Sequence, residues 1–275
     1  MTGIARLVLS AAFVISAGSA LAAPASAEGR VEERALGTRR LWVYTPPGYD
    51  AAARTAYDLL LVFDGEEYLE EIPLPKILDA LVAEKNGPAR VAVMIDDGAG
   101  AQRLADLANR VSFADYLGEE VLPFVRKNWN VTRDPHRVVV VGSSAGGLAA
   151  AFAAFRHPEL FGVVLSQSGA FWRGAEASND PPWEWLTAQY AAAPRKDVRF
   201  VLEVGARETR GALGGAAPSI LDANRRLRDA LAQKGYRLAY YEVPDGQHGP
   251  EWWKERLRPA LQALAALEAP GTEKP

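Results

Sequence analysis

No cysteine occurs anywhere in the chain, which excludes disulfides, thiolate metal sites and lipid attachment at an N-terminal cysteine. Histidine is nearly as scarce, with three residues in 275; H-E-x-x-H is absent, and three scattered histidines make no metal site. Beyond the first 27 residues no apolar run is long enough to span a bilayer. An excess of one charge is also missing. Lys+Arg 31 against Asp+Glu 34 leaves −3, which gives no reason to expect nucleic acid or an anionic membrane as a partner. The densest basic cluster, Arg225-Arg226-Leu227-Arg228, shares a helical pattern with Leu221, Leu227 and Leu231 and reads as a solvated helix face. A dinucleotide loop is suggested only by its first half. Gly98-Ala99-Gly100-Ala101-Gln102-Arg103 puts arginine where a third glycine belongs, and Asp96-Asp97 would repel phosphate. No cofactor and no metal are expected.

The N-terminus carries the pattern of an export signal. Arg6 supplies a positive start, Leu7 to Leu21 are apolar or small, and Ala20-Leu21-Ala22 and Ala25-Ser26-Ala27 are small-x-small cleavage sites. Cleavage after Ala27 is favoured over an uncleaved anchor helix, so the expected location is periplasmic or secreted, with no membrane anchor remaining. The expected organisation is a signal peptide at 1–27, one domain at 28–268 and a frayed tail at 269–275.

Within that domain, short apolar runs alternate with helical patterns. Arg30–Leu36 and Arg39–Thr45 read as a hairpin turning at Gly37, and Tyr57–Phe63 as a strand buried on both faces. Further strands are expected at Arg90–Ile95, Val138–Val141, Gly162–Ser166, Val198–Val204 and Tyr236–Val243. Helices are expected at Lys76–Ala83, after residue 144, around Ser219–Lys234 and over Glu251–Leu267. Another is expected to start from a capping box at Ser112–Asp115 and run towards Trp129. The class is α/β: a mostly parallel sheet, an antiparallel N-terminal hairpin, and helices on both faces. Functional residues then belong just after strands, beyond their carboxyl ends.

One stretch meets that requirement most clearly. Val138-Val139-Val140-Val141 is followed by Gly142-Ser143-Ser144-Ala145-Gly146-Gly147 and then by the alanine-rich start of a helix. This G-x-S-x-G between strand and helix is the form of a nucleophile elbow, in which a serine sits on a strained turn with its hydroxyl exposed. Ser143 would need small residues at Val141 and Ala145, so the register selects Ser144. The plain alternative is an ordinary glycine-rich strand–helix turn.

A serine hydroxyl needs a base within hydrogen-bond reach. His136 precedes the elbow strand and falls at the wrong end of the sheet. His157 sits at the end of the helix leaving the elbow, where capping explains it. His248, in Gly246-Gln247-His248-Gly249 after the last strand, is left as the base. The acid must lie between Ser144 and His248. Glu208, just past the Val198–Val204 strand, is the first choice; Glu203 and Asp245 remain open, and Glu208 could equally be a surface carboxylate paired with Arg207 or Arg210. Backbone N–H groups for an oxyanion are expected from Ala145 and from the loop Asp64-Gly65-Glu66.

At these residues the chain resembles the enterochelin esterase family of α/β-hydrolases, within the esterase-D-like group. The resemblance rests on Leu61-Val62-Phe63-Asp64-Gly65-Glu66, Arg103…Asp106-Leu107, Val121-Leu122-Pro123 and the elbow. It continues through His157-Pro158-Glu159-Leu160-Phe161-Gly162, Ser166-Gln167-Ser168-Gly169-Ala170-Phe171-Trp172, Glu203-Val204-Gly205 and Gly246-Gln247-His248. It implies an α/β-hydrolase fold, Ser144 as nucleophile, His248 as base, Glu208 as acid and the Glu66 N–H as second oxyanion donor. The family's glycine pair before the histidine is Gly246-Gln247 here. Signal peptide plus single domain resembles the periplasmic type rather than the two-domain cytoplasmic type.

The function expected is a serine carboxylic-ester hydrolase, with a catecholate trilactone siderophore or its ferric complex among candidate substrates. The alternatives are an acyltransferase, a feruloyl or acetyl esterase of the same fold, and a non-catalytic binding protein. Trp172, Trp183, Trp185, Trp252 and Trp253 flank the catalytic loops; Trp172 and Trp252 are candidate aromatic walls, though core packing explains such residues as well. Arg103 either meets an anionic substrate or staples its own loop. A ferric catecholate is anionic, so positive charge is expected at the mouth.

Overall fold

In a computed structural model describing residues 28–98, 100–176 and 178–268, the apolar runs become the strands of one eight-stranded sheet. The expected signal at 1–27 and tail at 269–275 lie outside the described residues. Strands β1 (Arg30–Leu36) and β2 (Arg39–Thr45) form an antiparallel hairpin, turned at Gly37 with its left-handed φ of 59°. Then come β3 (Asp58–Val62), the helices α1 (Gly65–Glu70) and α2 (Leu74–Ala83), and β4 (Arg90–Ile95). Helices α3 (Gly100–Leu107), α4 (Val111–Tyr116) and α5 (Leu122–Asn128) lead to β5 (Val138–Ser143) and α6 (Ala145–Arg156). The rest alternates: β6 (Val163–Gln167), α7 (Trp185–Ala192), β7 (Arg199–Gly205), α8 (Ile220–Gln233), β8 (Arg237–Val243) and α9 (Pro250–Glu268).

The spatial order is β1-β2-β4-β3-β5-β6-β7-β8, antiparallel at the first two pairings and parallel from β4 onwards. After β3 the chain moves towards one edge, and after β5 towards the other. The crevice between the carboxyl ends of β3 and β5 is therefore the topological switch point, where sheets of this kind bind ligands. Strand alternation builds two cores. Leu59, Leu61, Val138 and Val140 face α3 to α8, while Leu60, Val62, Val139 and Val141 face α1, α2 and α9.

Two expectations are corrected. The Ser112–Asp115 capping box does not form: α4 starts at Val111 behind an extended Arg110, without a side-chain cap. Asp115 instead holds Arg156 at 3.0 Å and His157 at 2.8 Å. The helix running towards Trp129 is also interrupted, by a π-helical turn at Leu117–Val121. Pro123, at the start of α5, has no N–H for the Glu119 carbonyl and its ring would crowd it, so the winding widens just upstream.

Candidate active site

The sharpest turn in the fold lies at the end of β5. Ser144 has φ 53° and ψ −116°, a conformation that costs a non-glycine residue about 1–3 kcal/mol. Neighbours hold it there: its N–H donates to the Gln167 carbonyl at 2.9 Å, and its own carbonyl accepts from Ala170 N–H at 2.8 Å. Asp64 after β3 and Ser168 after β6 also have positive φ, 55° and 50°, so strained backbone gathers at the carboxyl edge of three adjacent strands. Gly142 is required by close approach, since a Cβ there would sit 2.3 Å from the Gly146 carbonyl carbon. At Gly146 a Cβ would meet Asp64 Oδ2 at 3.1 Å, and at Gly147 it would meet Ser166 Oγ at 2.3 Å. Gly142→Ala must push α6 away from β5 and is expected to cost about 2–3 kcal/mol. Urea denaturation checks this; an unchanged midpoint would refute the crowding.

Beside the Ser144 hydroxyl stands His248. Its Nε2 lies 3.1 Å from Ser144 Oγ, and its Nδ1 lies 2.6 Å from Glu208 Oε2. An ionised carboxylate only accepts, so Nδ1 carries the proton and the Nε2 lone pair is free to take the serine's. The histidine side chain is 39 % exposed and that of Glu208 3 %. The loops carrying them are bonded together: Ala206 N–H donates to the Val243 carbonyl at 2.9 Å, and Arg207 N–H to the Gly246 carbonyl at 3.1 Å. Gly205 and Gly246 make the closest contact, with a Cβ on Gly205 falling 2.4 Å from the Gly246 oxygen.

The other two candidate acids are engaged elsewhere. Glu203, within β7, is buried and bound to Arg256 at 2.8 Å and to Gln167 Nε2 at 3.1 Å; burial raises its carboxyl above the usual range. Asp245 is exposed and pairs with Arg207 at 2.5 Å. His136 lies before β5 against Asp197, and His157 ends α6 against Asp115.

Sequence reasoning missed two residues here. Ser168 donates its hydroxyl proton to Glu208 Oε1 at 2.6 Å and accepts from the Trp253 indole N–H at 3.1 Å. Gly205 N–H adds a second donor to Oε1 at 2.8 Å. The Trp253 ring also packs edge-on to His248 with centroids 5.0 Å apart. The pairing Trp252-Trp253 just after His248 was the available signal, but only the helical phase of α9 tells which of the two turns inward.

The remaining candidates sit as follows. Ala145 is the first residue of α6 and Glu66 the second of α1, positions whose N–H groups have no acceptor within their own helix. The Glu66 side chain is exposed. Arg103 grips Asp64 with both Nε and Nη2, the latter at 2.8 Å, so it staples the loop after β3. Trp172 is 7 % exposed, packed on Trp183 with the Arg173 guanidinium 4.8 Å above its ring; it is core. Trp252 is half-buried.

Charge at the mouth is divided rather than uniformly positive. A cleft of about 280 Å³ on the His248 side is lined by Arg207, Glu208, Arg210, Ile220, Gln247 and His248. On the α1 side a hollow of about 320 Å³ is lined mostly by carboxylates, among them Asp64, Glu67 and Asp97, with Arg103. Among the described residues no group of His, Asp and Glu is arranged to hold a metal ion.

Comparison with known proteins places this arrangement. The family model described as "Putative esterase" matches residues 34–264. The iron(III) enterobactin esterase of Escherichia coli K12 is 32 % identical over 241 residues, 86 % of this chain and 56 % of the relative. That of Dickeya dadantii is 31 % identical over 246 residues, covering 84 % and 53 %. The chain thus spans a little over half the length of these relatives. The solved enterobactin esterase from Shigella flexneri, crystallised in the presence of enterobactin, superposes with a TM-score of 0.75 at 28 % identity, covering 86 % of this chain and 59 % of that one. A ferulic acid esterase at 18 % identity shares the fold, with a TM-score of 0.70. The fold is that of the α/β-hydrolase esterases.

Proposed function

The chain belongs to the esterase family, and on that premise we propose that it is a serine carboxylic-ester hydrolase working through an acyl-enzyme. The observation that carries this reading is the continuous contact from Ser144 Oγ through His248 to the buried Glu208. Ser144 Oγ attacks the ester carbonyl carbon while its proton passes to His248 Nε2. The resulting imidazolium is stabilised by Glu208, and the oxyanion is met by the N–H groups of Ala145 and Glu66, each donor lowering the barrier by about 3 kcal/mol. The tetrahedral adduct collapses, the ester C–O bond breaks, and the alkoxide leaves with the proton from Nε2. Water then gives a proton to His248 Nε2 as it attacks the acyl carbon, and the second adduct breaks its bond to Ser144 Oγ, which takes that proton back as the acid is released.

The substrate proposed is an ester of the siderophore class. Relatives that cover most of this chain are named for iron(III) enterobactin, which supports the catecholate trilactone reading. The same proposal takes residues 28–268 as one catalytic domain and places the protein outside the cytoplasm after removal of 1–27. Hydrolysis rates for ferric and iron-free catecholate trilactones, set beside simple aryl and feruloyl esters, test it. The trilactones are expected to show kcat/KM at least about tenfold above the aryl esters. Preference for feruloyl esters would overturn the substrate, and no hydrolysis of any ester would overturn the reading itself.

A further inference from the structure

The residue before the nucleophile carries a hydroxyl that the mechanism does not use. Ser143 ends β5 fully buried, on the face covered by α1, α2 and α9, and its Oγ donates to Glu67 Oε1 at 3.2 Å. Glu67 directly follows Glu66 on α1, just as Ser143 directly precedes Ser144. This single bond therefore joins the two chain segments that carry the oxyanion donors, one residue away from the nucleophile on one side and from a donor on the other. We propose that Glu67 is a positioning residue, which sets the spacing of the Ala145 and Glu66 N–H groups by tying α1 to the nucleophile turn through Ser143. The proposal rests on the serine-esterase reading above.

The surroundings give this tie a pH dependence. Glu67 is pushed up to about 7, first by burial and then by the charge of Asp64; Ser143 and Arg103 oppose the shift, and Glu71 adds to it. Asp97 across the hollow is raised by its own burial, and the buried Tyr68 hydroxyl faces the same Ser143. Exposed Glu66 and Glu70 and the half-buried Asp96 line the same hollow. Below the transition Glu67 is neutral. Above it, an anion stands beside the Glu66 donor, where the transition state develops negative charge. Ionisation therefore slows the acyl step, and the wild type falls behind a neutral isostere as pH rises through about 7.

The test uses a short aryl ester with the wild type, Glu67→Gln, Glu67→Leu and Ser144→Ala. Glu67→Leu, which cannot accept from Ser143, is expected to lower kcat about tenfold with KM little changed. Glu67→Gln keeps an acceptor and is expected to recover most of that loss. The ratio of Glu67→Gln to wild-type kcat, in which ionisations common to both enzymes cancel, is expected to rise about threefold or more between pH 6 and pH 8.5. This ratio needs only the isosteric variant, so it decides the matter even if Glu67→Leu does not fold. A ratio flat with pH, or a Glu67→Leu enzyme with wild-type kcat, overturns the proposal while Ser144→Ala stays inactive. If Ser144→Ala still turns over ester, it is the serine-esterase reading that has failed.

Discussion

Ser144→Ala is expected to lower turnover of an activated ester by about 10⁵-fold or more, with the fold intact. The hydroxyl meets His248 Nε2 at 3.1 Å and lies half-exposed at the mouth, so its loss leaves no buried group unpaired. The backbone bonds that hold the turn, from Ser144 N–H to Gln167 and from Ala170 N–H to the Ser144 carbonyl, survive the substitution. Without a nucleophile the donors at Ala145 and Glu66 still polarise the carbonyl, so a small rate above water persists. A serine-directed phosphonate checks the assignment independently. Mass analysis should find the adduct on Ser144 in the wild type and none in the variant. An adduct elsewhere, or surviving turnover, would remove Ser144 from the role.

Much of this arrangement can be read from local pattern, and the remainder depends on contacts between distant segments. Runs of consecutive apolar residues place β3, β4 and β5 within a residue or two, because the middle positions of strands covered on both faces are apolar. The elbow is legible for the same local reason: Gly142 and Gly146 are neighbours in sequence and touch in space. Helices α1, α3 and α7, of six to eight residues, are too short to establish a period, and the sequence reading passes over them. Choosing among Glu203, Glu208 and Asp245 needs longer reach. Arg256 occupies Glu203 from 53 residues away, and Arg207 occupies Asp245 from 38. Ser168 and Trp253, 85 residues apart, meet only because β6 ends and α9 begins at the same edge of the sheet.

Glu208→Gln is expected to lower kcat by about 10³–10⁴-fold with KM nearly unchanged. The size follows from the direction of the surrounding hydrogen bonds. Trp253 Nε1 can only donate, so Ser168 Oγ accepts from it and directs its own proton to Glu208 Oε1. Gly205 N–H also donates to Oε1. In the variant these two donors fix the amide oxygen at that position, and the amide nitrogen is left facing His248 Nδ1. A donor there forces Nδ1 to accept, moves the ring proton to Nε2, and points an N–H at Ser144 Oγ where a lone pair is needed. The serine then has no base, although every side chain is still in place. Asp245→Asn, which touches only the exposed Arg207, should change kcat by less than about twofold and serves as the paired control. Parallel kcat and KM measurements separate this tautomer effect from lost binding, which would raise KM instead. Should Glu208→Gln turn over at a near-normal rate, Ser144 and His248 must work as a dyad, and the buried carboxylate serves only to join the loops after β7 and β8.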